Sequence, residues 1–502
     1  MLTAIQTFFG YSWITLILAL SLLLIVAVFA IQYGRTIYAL RNIPHPFSLP
    51  LIGNAYQLSR PLEEFFSNLI EWSEKYGDIY MLLVGTRPFI FLYKAESVQP
   101  LLSSSVHTNK SFEYEYLIPW LGNGLITSNG ERWYHRRKLL TPTFHNGLLE
   151  DYFSSAINEV NIMIDCLKKE IGKSVDIVPY AKRATLDVIC DSSMGYRINA
   201  QTNLFNEYVL AVDKLSEIAQ HRFTCVWTSY DCIFRLTKLA KEQDRALKIV
   251  HNFIDKVIAE RKQEWKNNRD KNCNKPTKKH QALLDLLLEI SSNGTILTDT
   301  DIRDEVNTFM FAGHDTTATS ISWTLYALGR RPEYQQRILD EYDEIVGSNE
   351  ITLEKLNKLI FLDACIKESW RLYPVAPLIA RLIKSPVEIL GNKIPQGATL
   401  LINSYLLHRD KRHFPEPHVY KPERFLPWNP RPPSYAFIPF SAGSRNCIGW
   451  KFATVVVKVF ILSILKAYHI ESLITEDKLR LKPELVLVNK DGIPLKITPR
   501  TR

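Results

Sequence analysis

Hydrophobic and polar positions fall into distinct regimes along the chain. From Phe8 to Ile31 the sequence "FFGYSWITLILALSLLLIVAVFAI" is apolar all round, and the first charged side chain is Arg35. At about 1.5 Å of rise per residue, such a helix crosses a hydrocarbon core of about 30 Å. A cleaved signal peptide has a shorter apolar core, a basic leading segment and a small-x-small cleavage site. None is clear here, so a membrane anchor is expected. Arg35 and Arg41 follow it, and basic residues on that flank direct the body of the protein to the cytosol. Pro44, Pro46 and Pro50 then stiffen an extended linker that no helix can continue through. The chain divides into an anchor over 1–34, a proline-rich hinge over 35–54 and a body over 55–502.

The periodicity changes in the body. "GDIYMLLVGTRPFIFLY", Gly77 to Tyr93, is rich in β-branched and aromatic residues about a Gly-Thr turn and predicts an antiparallel hairpin. From about Phe144 to Tyr373 the pattern is helical. One helix start is well marked: Thr298 caps with Asp301 three positions on, and Leu297 and Ile302 flank it as a hydrophobic staple. That helix is expected to run to about Gly329. Its middle, Gly313-His314-Asp315-Thr316-Thr317, sets residues that weaken or bend a helix between apolar turns. Either two helices cross there through a polar contact, or the helix opens around a small polar ligand. Short strands return in "VEILGNKIPQGATLLINS" and in "ELVLVNKDGIPLKIT", where Asp491-Gly492 predicts a second hairpin turn. The basic stretch Lys262 to His280 reads as a solvated loop between helices. The fold class is mainly α with a minor antiparallel β portion, in one large domain after the linker.

Composition narrows the partners only coarsely. The 502 residues are 46% hydrophobic and 23% charged, ample for a large core and unlike a disordered chain. The net charge of +9 favours anionic partners, whether nucleic acid, membrane or acidic protein. Seven cysteines without a C-x-x-C argue against a zinc ribbon or a disulfide framework and for a reducing compartment.

Cys447 stands apart from the other cysteines. It lies in "PFSAGSRNCIG", between an arginine and an apolar helix. This stretch resembles the haem-binding loop of the cytochromes P450, matching F-x-x-G-x-R-x-C-x-G at Phe440, Gly443, Arg445, Cys447 and Gly449. Further family motifs stand in order: "WYHRR" with Trp133 and Arg137, "AGHDTT" on the long helix, "KESWR" with Glu368 and Arg371, and "KPERF" with Arg424. The resemblance covers the whole chain, and "EVNTFMFAGHDTT" is similar to family 4. It implies the cytochrome P450 fold with an N-terminal transmembrane helix.

The residue types suit that chemistry. A thiolate ligand to haem iron favours O–O cleavage and needs amide donors and a dry cover. Gly443 lets the loop turn its amides toward the sulfur, Phe440 shields it, and Gly449 lets the next helix approach the porphyrin. Arg445 is within reach of a propionate. The resemblance implies that Trp133, Arg137 and Arg381 are further propionate partners. It also implies that Glu368, Arg371 and Arg424 form a buried structural network under the haem. Asp315 and Thr316 resemble the family's acid–alcohol pair, which delivers protons to oxygen. Phe309, Ala312, Val375, Leu378 and Ile379 are expected to line the substrate pocket.

The reading that follows is a membrane-anchored haem-thiolate monooxygenase of the endoplasmic reticulum. It would hydroxylate an apolar substrate, a fatty acid or related lipid, a hormone or a xenobiotic, using O₂. Electrons would come from NADPH through a separate NADPH-cytochrome P450 reductase, with cytochrome b5 as a second donor in view, and no nucleic acid is involved. Arg136, Lys138 and Lys451 are candidates for the basic face that meets the reductase. Ala312 stands where many family 4 members carry a glutamate that esterifies haem, so haem b is expected to bind non-covalently. A haem-thiolate isomerase or dehydratase acting on a hydroperoxide, and a non-catalytic haem module, stay open as alternatives; Asp315-Thr316 and the anchor count against the first.

Overall fold

The computed structural model describes residues 2–49, 52–144, 148–202, 207–271, 282–292 and 297–500. Helix α1 (Leu2–Ala39) carries the apolar run, and Thr15–Ala39 has a mean hydropathy of 2.7 and is unburied. It fits a membrane anchor. Its end is fixed to the body: Tyr33 and Ile37 pack with Leu40 and Ile43 against a cluster that includes Met81 and Leu83. The prolines follow, and Met81 N–H donates to Pro44 O at 3.0 Å. The linker is thereby held against the sheet.

Strands β1 (Ile79–Val84) and β2 (Arg87–Leu92) form the expected hairpin. Helices α2 (Gly130–Leu140), α3 (Ile177–Ile189), α4 (Glu207–Thr224), α5 (Lys238–Lys271), α6 (Asp299–Gly329) and α7 (Ile360–Leu372) carry most of the body. Strands β3 (Leu378–Leu382) and β4 (Thr399–Asn403) complete the larger sheet in the order β1–β2–β4–β3, and helix α8 (Trp450–Ala467) follows the Cys447 loop. The β2–β4 pairing is parallel; the other two pairings of this sheet are antiparallel.

Helix α6 is the axis of the core. Thr298 Oγ1 accepts from Asp301 N–H at 3.1 Å while the Asp301 carboxylate accepts from Thr298 N–H at 2.9 Å, the predicted reciprocal cap. The helix is unbroken to Gly329, so the polar middle is no opening. It is instead a helix crossing. A Cβ on Gly313 would lie 2.6 Å from Ile189 Cδ1, and Thr185 of α3 donates to His314 O at 2.8 Å. Glycine is there because α3 leaves no room for a side chain.

Two expectations need correction. The stretch from Lys262 is helical as far as Lys271, because α5 keeps its apolar face on the core through Val257 while its outer face is charged. Residues 272–280 of that stretch lie outside the described residues. The Asp491-Gly492 turn does not close a hairpin. Leu487–Asn489 pairs with Leu481–Pro483, whereas Pro494–Pro499 pairs with Ser174–Asp176 and Tyr468–Ser472. Gly492 takes a φ of 71° beside the Asp176 carboxylate, which accepts from Ile493 N–H at 2.9 Å and draws the chain to the other sheet.

Candidate haem-thiolate site

The Cys447 loop is held from both ends. Cys447 N–H donates to Phe440 O at 2.9 Å. Gly443 has a φ of 72°, and a Cβ there would lie 1.8 Å from Leu102 O, so this turn requires glycine twice over. Arg137 of α2 forks onto the residue before the cysteine, donating to Asn446 O at 2.6 Å and to Asn446 Oδ1 at 2.7 Å. Arg137 thus braces the loop main chain as well as lining the cavity. Phe440 packs edge-on against Trp370 at 4.9 Å.

Cys447 faces a cavity of about 470 Å³ between the loop and α6. Cys447 keeps accessible surface and lines this cavity. Burial pushes its thiol up, against the Gly449 N–H and the Arg137 charge, which pull the other way. Across the cavity, α6 presents Phe309, Ala312 and Thr316, one helical turn apart, and Val375, Leu378 and Ile379 supply a second apolar wall. Phe309 stacks on Phe144 with ring centres 5.2 Å apart. Thr316 donates to Ala312 O at 2.6 Å, the back-bond its position allows.

The same cavity is lined by Lys110, Arg381 and Arg445. Burial depresses all three, and mutual repulsion depresses Lys110 and Arg445 further, Arg445 to about 9. No carboxylate pairs with any of them among the described residues. Arg445 is fixed by the carbonyls of Thr108 and Ser128 at 2.9 and 2.7 Å, and its guanidinium lies 4.6 Å from the centre of the Trp133 ring. Desolvated cations without anions are costly, so the wall is built for an anionic group. Haem carries two propionates. A Cβ on Gly449, another cavity residue, would meet no atom of the chain. Thiol, cations and free space therefore fit haem. Lys110 is a residue the sequence reading missed; it sits in no motif, and only the folded chain brings it to Arg381 and Arg445.

Three predicted residues lie outside the cavity, in the network beneath it. Arg371 donates to both Glu368 oxygens at 2.8 and 2.7 Å, and also to the carbonyls of His408, Pro417 and Val419. Lys421 N–H donates to Glu368 Oε1 at 2.8 Å, and Arg424 Nε lies 3.4 Å from it. Both Glu368 and Arg371 are fully buried.

Asp315 also points away from the cavity. It is buried and paired with Lys182 of α3 at 2.8 Å, and Lys182 pairs at 2.5 Å with Asp213 of α4, which is 44% exposed. Burial would raise the Asp315 carboxyl, but Lys182 and His314 hold it below the usual carboxylate range. Glu305 is turned from the cavity too, accepting from Leu125 N–H at 3.1 Å. Arg136 leaves the candidate basic face: it is buried and paired with Asp301 at 2.5 Å.

A cysteine in a cavity edged by unpaired cations defines a haem-thiolate enzyme. The cytochrome P450 family model matches residues 43–497. The chain is 41% identical to cytochrome P450 4c3 of Drosophila melanogaster, over 99% of this chain and 96% of that one. It is 42% identical to cytochrome P450 4V2 of Pongo abelii and 41% to the human protein of that name, each over 96% of this chain and 94% of the relative. The chain belongs to the cytochrome P450 family, is similar to its family 4 members, and is a haem-thiolate monooxygenase.

Proposed function

We propose that this monooxygenase hydroxylates an apolar substrate, a lipid, hormone or xenobiotic, from the endoplasmic reticulum membrane. In this reading α1 anchors the chain, the body faces the cytosol, and a separate NADPH-dependent reductase supplies electrons. The carrying observation is that Cys447, the unpaired cations and an apolar wall share one cavity. Cys447 would ligate the iron, and Lys110, Arg381, Arg445 and Trp133 would hold the propionates. When bound, thiolate-ligated haem supplies O₂ activation.

The chain's own residues do the rest. Phe309, Ala312, Val375, Leu378 and Ile379 orient the substrate's apolar body. Phe440 and Trp370 keep water from the sulfur. Thr316 holds a hydroxyl at the cavity wall and positions a proton-donating water. Asp315 does not face the cavity; its link to solvent is the ion pair of Lys182 with the partly exposed Asp213, and in this reading protons enter from that side. Ala312 has no oxygen to esterify haem, and Glu305 is turned away, which supports non-covalent binding.

Two measurements test this reading. Turnover of an apolar substrate should require NADPH, reductase and O₂ together; turnover of a hydroperoxide without them would favour an isomerase. Cys447→Ala should abolish the thiolate-type spectrum of the reduced carbon monoxide complex, and Cys365→Ala, buried on α7, should keep it.

A further inference from the structure

Beyond the cations near Cys447, the cavity wall is mostly apolar, and among its polar residues Glu113 and Gln220 carry side chains with no hydrogen-bond partner among the described residues. Glu113, in the 3-10 turn Phe112–Leu117, lines the cavity. Neither carboxylate oxygen makes a hydrogen bond or reaches solvent. The Ser111 hydroxyl and Arg87 of β2 stand near and favour the ionised form, and Glu115 opposes it. Burial outweighs them and pushes Glu113 up to about 7. Gln220 of α4 is 5% exposed, lines the same cavity, and its amide makes no hydrogen bond to a described residue.

These residues belong to adjoining surfaces. The rings of Tyr116 and Phe223 lie 5.9 Å apart. Glu113 stands one 3-10 turn before Tyr116, where side chains eclipse. Gln220 stands one turn before Phe223 on the same face of α4. Among the described residues, the cations near this end are Arg87, exposed and 3.9 Å from the centre of the Phe112 ring, and Arg222. Arg222 is turned to Asp231 and to Thr228 O, and Glu484, the other acid of the wall, is paired with Lys482 at 2.5 Å. A carboxylate arriving here would meet a like charge in a poorly solvated place. A hydroxyl could donate to Glu113 and accept from the Gln220 amide.

We infer that Glu113 and Gln220 form the polar end of the substrate cavity and select an apolar substrate carrying a hydroxyl over one carrying a carboxylate. This rests on the monooxygenase reading of the cavity. The test is a binding titration of the holoenzyme near about pH 8, followed by haem absorption. The probes are 1-dodecanol, dodecanoate and dodecyl methyl ether, with a 3-hydroxysteroid and its methyl ether as the ring-shaped counterparts. At least one alcohol should bind about tenfold more tightly than its ether, and dodecanol, if it is that one, about tenfold more tightly than dodecanoate. Glu113→Gln should narrow the preference against dodecanoate about tenfold, because an amide can donate to it. Gln220→Leu should weaken alcohols and ethers together, because an ether oxygen also accepts from the amide N–H, and should keep the alcohol-over-ether preference that Glu113 supplies. A response from the chain alone or from the steroid alone supports the inference and identifies the shape of the substrate. An unchanged ranking in Glu113→Gln overturns it, as does a wild-type preference for dodecanoate that Lys110→Met removes. A thiolate-type carbon monoxide spectrum in the wild type separates the cases: its absence sinks the monooxygenase reading, and its presence with unchanged ranking sinks this inference alone.

Discussion

The two sides of the cavity each hold a buried acid paired with a base, and the pairs are built differently. Beneath the Cys447 loop, Arg371 is sealed from solvent, and both of its terminal nitrogens and its Nε are occupied by Glu368 or by main-chain carbonyls. Beside α6, Asp315 is equally buried, but its partner Lys182 reaches on to an acid that is 44% exposed. A closed network resists change, because any broken bond leaves a buried charge unpaired. An open chain ends in water and can exchange protons. In the function proposed above, the closed side holds the Cys447 loop still and the open side takes protons from solvent.

The largest effect should come from breaking the closed side. Glu368→Ala leaves Arg371 buried without its anion, at a cost of about 3–5 kcal/mol. The expected result is protein that fails to retain haem, read as the ratio of haem to protein absorbance. Haem content at the wild-type level would mean that the network does not hold the loop.

Next comes the buried half of the open side. Lys182→Met removes the main group that holds the Asp315 carboxyl down, so burial is opposed only by His314 and the pKa rises. The sign follows: a depressed carboxylate stabilises the fold above its unfolded pKa, and that stability is lost as pH falls through the folded value. The variant should therefore lack this contribution at neutral pH, by about 1–3 kcal/mol, and its acid denaturation should be less steep. Thr316→Ala removes the cavity hydroxyl without touching an ion pair. It should keep haem and stability, yet release more hydrogen peroxide per NADPH consumed. Coupling equal to wild type would remove Thr316 from proton delivery.

The closed and open sides were unequally legible in the sequence. The cap of α6 could be read because Thr298 and Asp301 act within one turn. Glu368 and Arg371 could be paired for the same reason, being three residues apart on one helix. Asp315 and Thr316 could be named by resemblance, but not the direction in which Asp315 points. Its partner comes from another helix, and no local pattern encodes that meeting. Lys110 is the same case: an ordinary surface lysine by sequence, desolvated only when the fold brings Arg381 and Arg445 beside it. Gly313 was legible as an oddity, and its cause, Ile189 across the crossing, was not. Lys262 to Lys271 misled because charge dominates its composition, although a helix can be charged on one face and still be ordered.

The smallest effect separates proton supply from architecture most cleanly. Asp213 is close to half exposed, and an ion pair there contributes at most about 1 kcal/mol. Asp213→Asn leaves Lys182 paired with Asp315, so the melting temperature should move little and haem content should hold. The side-chain amide can still accept from Lys182 but cannot carry a proton at neutral pH. If protons enter through this end, the variant should leak more peroxide at a given NADPH consumption. Its turnover should also slow more in deuterated water than that of the wild type. If protons enter elsewhere, neither quantity should change, and the open end of the chain would then be a surface ion pair with no part in turnover.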